Sequence, residues 1–245
     1  ALVLRGKDGK VRAFHNLCRH RGSRVVAEEY GNCRSVILCP FHGWTYNLDG
    51  SLRGAAQPKS FPNLDKLEYG LIPLEMDIWH GFVFVRFQPG PQPPLSKFLR
   101  KFENEISQYD LEDVEPTGEG FWTEQINANW KCVRDVDNEG YHVPMAHPGL
   151  HDLFGENYYD EPLEGGVSRS VGSFSSTNGR LWSVKNYKKL LQPKATLDEA
   201  HKKCWLYLGV FPNLVFGIYP ESVIFYQEYQ VENGKTIQRG SNYKF

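Results

Sequence analysis

The chain has 245 residues, a formal charge of −1, 40% hydrophobic and 23% charged residues. This balance suits one large domain or two modest ones with packed cores; it excludes disorder and gives no global pull toward nucleic acid or an acidic membrane. No apolar run approaches the roughly 18 residues that span a bilayer. Aromatic residues, 14% of the chain, lean toward sheets and apolar pockets. Five cysteines in mixed Cys/His spacings point to metal in a reducing compartment, so a cytoplasmic protein is expected. The chain opens mid-strand at Ala1-Leu2-Val3 without Met and stops in a strand-like stretch at Lys244-Phe245, as a fragment lacking both termini would.

Residues 1–90 read as short strands with tight turns. Strands at 2–4 and 11–14 flank an Asp8-Gly9 turn, a hairpin signal. A strand at 35–38 leads into Cys39, and 44–46 forms a second hairpin with the turn at Asp49-Gly50. Strands at 72–76 and 82–87 complete a small antiparallel β-domain. The Pro-rich stretch 88–94 is a stiff boundary. Beyond it, Leu95, Phe98, Leu99, Phe102 and Ile106 keep helical period over 95–109, with Ser96 as N-cap. A strand over 121–130 feeds a helical stretch, 131–146, interrupted at Gly140 and Pro144. Later strands are expected at 205–209, 214–218 and 223–230, with a helix over 190–203.

Two clusters carry chemistry. Upstream, Cys18-Arg19-His20 and Cys39-Pro40-Phe41-His42 each offer one thiolate and one imidazole. Two such loops facing each other suit an Fe₂S₂ unit, with both Cys on one iron and both His on the other. Neutral imidazoles in place of two thiolates raise the reduction potential. A tetrahedral zinc site is the rival, but zinc sites usually group Cys with Cys and His with His. Cys33 reads as a spare thiol, while Cys132 and Cys204 read as buried small apolar residues.

Downstream, 129–147 holds Asn129, Trp130, Lys131, Asp135, Asp137, Glu139, His142 and His147. Two imidazoles and a carboxylate with open positions are the ligand set of non-haem Fe(II) oxygenases. A separation of five between His142 and His147 does not suit one face of a straight helix, so Pro144 is expected to kink it. His147 and His151 are a rival i, i+4 pair, which Pro148 and Gly149 disfavour. Asp135 and Asp137 read either as solvated or capping residues, or as groups that orient His142 or His147. Trp130 is expected in the core, Lys131 in an ion pair. Phe154, Tyr207, Phe211, Phe216 and Phe225 are candidate pocket aromatics, with core packing the expected role for most of them.

The flanks Cys18-Arg19-His20-Arg21-Gly22 and Cys39-Pro40-Phe41-His42-Gly43-Trp44-Thr45-Tyr46, with Asn129-Trp130-Lys131 and Glu139-Gly140-Tyr141-His142, resemble the Rieske non-haem iron oxygenase (aromatic-ring-hydroxylating) α subunits. The resemblance implies an α+β chain: an antiparallel β Rieske domain, 1–92, followed by a helix-grip-type catalytic domain, 93–245. It implies a [2Fe-2S] cluster on Cys18, His20, Cys39 and His42, and a mononuclear Fe(II) on His142 and His147. Glu139 becomes the bridge to the cluster of a neighbouring subunit, and Gly22 and Gly43 let backbone N–H groups reach the sulfurs. The family's third iron ligand is an Asp on a C-terminal helix, expected beyond residue 245; Glu221 and Glu228 rank below it because both stand in expected strands.

The implied function is O₂-dependent hydroxylation or demethylation of a small organic substrate, with an aromatic compound first in line. Electrons come from NAD(P)H through a ferredoxin or reductase, and a homotrimer or other homo-oligomer is expected. Glu139 stands where many ring-hydroxylating members have Asp; the longer side chain occurs in relatives acting on quaternary amines. Val136 stands where relatives often have Asn. A Rieske electron carrier without catalysis is the alternative, though it has no use for the second cluster.

Overall fold

A computed structural model describes the chain apart from residues 89, 92, 119 and 120 and the side chains at 95, 98 and 162–164. The chain divides into Ala1–Gln92 and Pro93–Phe245. The expected Pro-rich boundary falls partly on residues 89 and 92, outside that description.

In the first unit, β1 (Leu2–Arg5) and β2 (Val11–Phe14) pair antiparallel. Their turn is fixed by Gly9 at φ 78° and by both guanidinium nitrogens of Arg12 on Asp8, at 2.9 and 2.7 Å. Next, β3 (Val36–Leu38), β4 (Thr45–Asn47) and β5 (Leu52–Gly54) form a three-stranded antiparallel sheet. Gly50 in its turn has φ 86° and lies so close to Phe14 that a Cβ would fall 2.3 Å from the ring. A last pair joins β6 (Glu75–Trp79) and β7 (Phe82–Arg86). The strand expected at 72–76 therefore starts late. Residues 72–74 instead lie antiparallel beside the end of β2, with His15 N–H on the Ile72 carbonyl at 2.9 Å and Leu74 N–H on that of Ala13 at 2.9 Å. Pro73 between them has no N–H to give to a regular ladder. Phe14, Ile37, Trp44, Tyr46 and Leu52 form the core, and Cys18 and Cys39 are buried within it.

The second unit is built on an antiparallel sheet, eight-stranded among the described residues. It holds β8 (Glu115–Pro116), β9 (Trp122–Ile126), β10 (Tyr158–Glu164), β11 (Val167–Ser173), β12 (Cys204–Val210), β13 (Leu214–Ile218), β14 (Ser222–Glu232) and β15 (Lys235–Lys244). From β10 to β15 the order follows the sequence, and β8 and β9 both pair with β15. The β10–β11 hairpin was not expected from the sequence. Its turn is Gly165-Gly166, with φ 56° and 84°, the positive values that a tight hairpin demands.

The helices differ more from expectation. The segment 95–109 is a broken series: α1 (Leu95–Leu99), a 3₁₀ turn (Arg100–Phe102), α2 (Glu103–Ile106) and a 3₁₀ turn (Ser107–Tyr109). Leu99, Phe102, Ile106 and Tyr109 are all fully buried, because tighter 3₁₀ turns bring residues three apart onto one line. The N-cap is Pro94, not Ser96, and no side chain caps this helix. The expected apolar positions Leu95 and Phe98 lie outside the described side chains. Over 131–146 there are α3 (Trp130–Asp137) and α4 (Val143–Ala146), followed by α5 (Pro148–Phe154). Asn129 caps α3 by accepting the Lys131 N–H at 3.0 Å. The break at Gly140 is as expected. Pro144 kinks nothing; it sits in the first turn of α4, where a missing N–H costs no bond. The helix expected over 190–203 is replaced by α6 (Trp182–Leu190) and a 3₁₀ turn (His201–Lys203). Leu191 turns extended at ψ 126°, as the chain approaches Pro193.

Candidate active site

Cys18 and Cys39 each open a turn of the same build. Gly22 N–H reaches the Cys18 carbonyl at 2.9 Å, and Gly43 N–H reaches that of Cys39 at 3.1 Å. Both glycines have φ near 70°, so the turns require them. Their own N–H groups go to carbonyls, and the turns they make bring other backbone N–H groups toward the sulfurs. The donors toward sulfur are the backbone N–H of His20 for Cys18, and those of Phe41 and His42 for Cys39. The two thiols are buried and outside any disulfide. Tyr46 Oη lies 3.2 Å from Cys18 Sγ and accepts the Arg19 N–H at 2.9 Å, leaving its own hydrogen free for the sulfur. Burial raises the Tyr46 pKa well above the ordinary phenol value, which keeps it a donor.

The histidines of the same loops also meet. The His20 and His42 rings are 4.7 Å apart, and His20 stacks on Trp44 at 5.1 Å. Burial, followed by the neighbouring His42 and Arg21, lowers the His20 pKa, favouring the neutral ligand form. Thiols inside and His42 exposed at the rim give the paired site a polarity. Two cysteines on one iron and two histidines on the other require only pairs of ligands to converge. His20 and His42 meet in this way, and Cys18 and Cys39 are buried in the same core. The donor set fits a two-iron unit. Cys33 is a half-buried free thiol, Cys204 is buried and Cys132 is exposed, against expectation for the last.

In the second unit the break between α3 and α4 carries the other pair. The Gly140 N–H is held by Asp160 of β10 at 2.6 Å. A Cβ on Gly140 would fall 1.9 Å from the Tyr158 ring, so the turn is pinned against the sheet. Glu139 accepts the His142 backbone N–H at 3.2 Å and meets His142 Nδ1 at 2.5 Å. These bonds lower the Glu139 pKa, the His142 side-chain bond most. With Nδ1–H given to a carboxylate, the Nε2 lone pair is free for a metal. The His142 and His147 rings lie 5.1 Å apart. Two imidazoles bound at roughly 2.1 Å to one ion, at an open angle, put their ring centres about 5 Å apart, so the pair fits a single iron. His147 is also the cap between α4 and α5, and His151 lies a turn further along α5, its N–H on the His147 carbonyl at 3.0 Å.

The other residues of the motif are placed differently. Asp135 is exposed at the end of α3, and no hydrogen bond of its side chain is found among the described residues. Asp137 points inward to Glu228 and Tyr226. Lys131 lies over the Trp130 ring at 5.5 Å instead of in an ion pair, and Trp130 is half-buried. Glu228 is buried on β14. Glu221 is in the β13–β14 turn, not in a strand.

A cavity of about 670 Å³ has His147 in its wall, with Leu153, Tyr187, Trp205, Tyr219 and Glu221. None of the five candidate aromatics lines it, in line with the core role expected for most of them. Phe154 and Phe216 are core, Phe211 is 60% exposed, and Phe225 stacks on Tyr243. The aromatics that do line it come from α6, β12 and the β13–β14 turn. On β12 the buried Leu206 and Leu208 alternate with Trp205 and Tyr207, and that alternation is the signal that would have turned Trp205 toward the other face.

Residues 1–68 match the Rieske [2Fe-2S] domain, and 104–234, more than half of the chain, match the ring hydroxylating alpha subunit (catalytic domain). The chain is 31% identical over 243 residues to the carnitine monooxygenase oxygenase subunit of Acinetobacter pittii, covering 97% of this chain and 60% of that protein. It is 39% identical over 149 residues to the glycine betaine monooxygenase oxygenase subunit of Pseudomonas aeruginosa, covering 61% and 34%. A crystal structure of a quaternary ammonium Rieske monooxygenase superposes with a TM-score of 0.77 at 26% identity, covering 98% of this chain and 61% of that one. The chain thus spans about a third to three fifths of the relatives it matches. A carrier without catalysis does not account for the second match. The family's cofactors are a Rieske cluster and a mononuclear iron. The chain belongs to the Rieske-type ring-hydroxylating oxygenase α-subunit family.

Proposed function

We propose that this chain is the core of an oxygenase that oxidises a small quaternary ammonium compound, by hydroxylation or oxidative demethylation, using O₂ and electrons from NAD(P)H passed by a ferredoxin or reductase. The observation that carries this reading is the His142–His147 pair next to an aromatic-lined cavity with His147 in its wall. The names of the relatives support a quaternary ammonium substrate; they do not support the aromatic compound first expected.

In this reading Cys18, Cys39, His20 and His42 hold the two-iron unit, and His142 and His147 hold Fe(II). When bound, these groups supply a one-electron relay and a site where O₂ is reduced. The protein does the rest. Glu139 fixes the His142 tautomer and ring. Tyr46 and the backbone N–H groups on sulfur stabilise the thiolates. The cavity walls orient the carbon to be oxidised. Glu139, with its side chain 43% exposed, sits beside Tyr141 and Met145, which are 95% and 90% exposed. Exposed apolar side chains around a functional carboxylate support a contact with a second copy here, and so a homotrimer or other homo-oligomer. No helix among the described residues is long and apolar enough to cross a membrane; a cytoplasmic location belongs to this proposal, since unpaired thiols persist there.

The test is turnover of the intact protein with a reductase against glycine betaine, L-carnitine, choline and benzoate, following product and O₂ uptake. Coupled uptake with a quaternary ammonium compound is expected. Turnover of benzoate alone would contradict the proposal. His142→Ala is expected to lower product formation at least about a thousand-fold while the visible bands of the cluster remain.

A further inference from the structure

Glu221 is a carboxylate with little to neutralise it. It accepts the Tyr187 hydroxyl, at 3.2 Å on one oxygen and 3.1 Å on the other, and its own backbone N–H. Among the described residues no cationic side chain pairs with it. Burial raises its pKa, and the Tyr187 hydroxyl offsets only part of that. Tyr187 is itself fixed, since it accepts the Trp205 indole N–H at 2.8 Å. The chain of bonds Trp205 to Tyr187 to Glu221 therefore locks three side chains from α6, β12 and the β13–β14 turn into one wall of the cavity that His147 also lines.

The rings of that wall are set at steep angles. Trp205 and Tyr219 lie 4.6 Å apart at 64°, and Tyr187 and Trp205 5.6 Å apart at 83°. Leu150, Leu153 and Val184 add apolar surface to the same cavity. What the wall lacks is positive charge. A tetraalkylammonium head has no N–H to satisfy; it is held by ring faces and a counter-charge, with its methyl groups against apolar side chains.

We infer that Trp205, Tyr219 and Tyr187 cage the alkylammonium head of the substrate, and that Glu221, held by Tyr187, is the counter-charge that selects a cation over a neutral compound of the same shape. This rests on the proposed quaternary ammonium oxygenase reading. Trp205 and Tyr219 are specificity residues; Tyr187 acts partly by positioning Glu221.

The test is binding, read by calorimetry on the intact anaerobic protein, of choline and of its neutral isostere 3,3-dimethylbutan-1-ol, alongside turnover of choline, glycine betaine, L-carnitine and benzoate. The protein is expected to prefer choline by about thirty-fold. Glu221→Gln is expected to remove about tenfold or more of that preference with the isostere bound as before, and Tyr187→Phe to remove a smaller part. Trp205→Leu is expected to weaken choline binding, but Trp205 also packs on Phe154 at 5.5 Å; the two near-isosteric variants keep the test valid should it fail to fold. A protein that oxidises a quaternary ammonium compound while Glu221→Gln keeps the full preference for choline would overturn this inference and leave the oxygenase reading standing. A protein that binds no choline and oxidises benzoate would overturn both.

Discussion

Glu228 shows how one buried side chain sets a pH limit. It is 2% exposed on β14, beside Asp137 and Arg134. Burial raises its pKa, Asp137 raises it further, and the Arg134 guanidinium returns part of the cost. A carboxyl held protonated by the fold binds its proton more tightly than in the unfolded chain, so stability falls as pH rises above the ordinary value of 4.5. Glu228→Gln keeps the shape without the charge. We expect the urea midpoint of the protein to drop between about pH 5 and pH 9, and the variant to show a flatter profile; an equally steep profile would place the pH limit elsewhere. The upstream loops give a second test at this scale. Tyr46→Phe removes the hydroxyl that meets Cys18 Sγ, and fewer hydrogen bonds to sulfur lower the potential of a cluster. Redox titration is expected to show that fall with the visible bands retained; an unchanged potential would remove Tyr46 from the set of groups that tune it.

The turn between α3 and α4 is the element on which the downstream site depends. Gly140 has room for no Cβ against Tyr158, and Asp160 holds its N–H. Gly140→Ala is expected to cost about 1–3 kcal/mol through overpacking and to reduce iron bound at His142 and His147, measured by denaturation and metal analysis. A variant with both quantities unchanged would show that the turn tolerates movement. The elements legible in the sequence are those set by local chemistry: Asp-Gly hairpins, the break at Gly140 and the Cys/His loops. Their signals lie within a few residues. The cavity wall was not legible, because Tyr187, Trp205 and Glu221 meet through tertiary bonds between three separate elements. The helix placed over 190–203 failed because an apolar pattern was followed past Pro193, and the β10–β11 hairpin was missed although Gly165-Gly166 marks its turn.

On the scale of the whole molecule, the account is of two unlike iron centres on one chain, one built on two hairpin-like turns and the other on a broken helix. The near-neutral charge of −1 leaves recognition to these local sites, not to a global field. The measurement that tests this most directly is iron, zinc and acid-labile sulfide analysis, with the visible spectrum, of the intact protein purified anaerobically as wild type, Cys39→Ser and His142→Ala. The account predicts about three irons and two sulfides per wild-type chain. It predicts that His142→Ala loses about one iron with its bands intact, and that Cys39→Ser loses the bands and the sulfide. Zinc in place of iron, or a His142→Ala protein without visible bands, would contradict it.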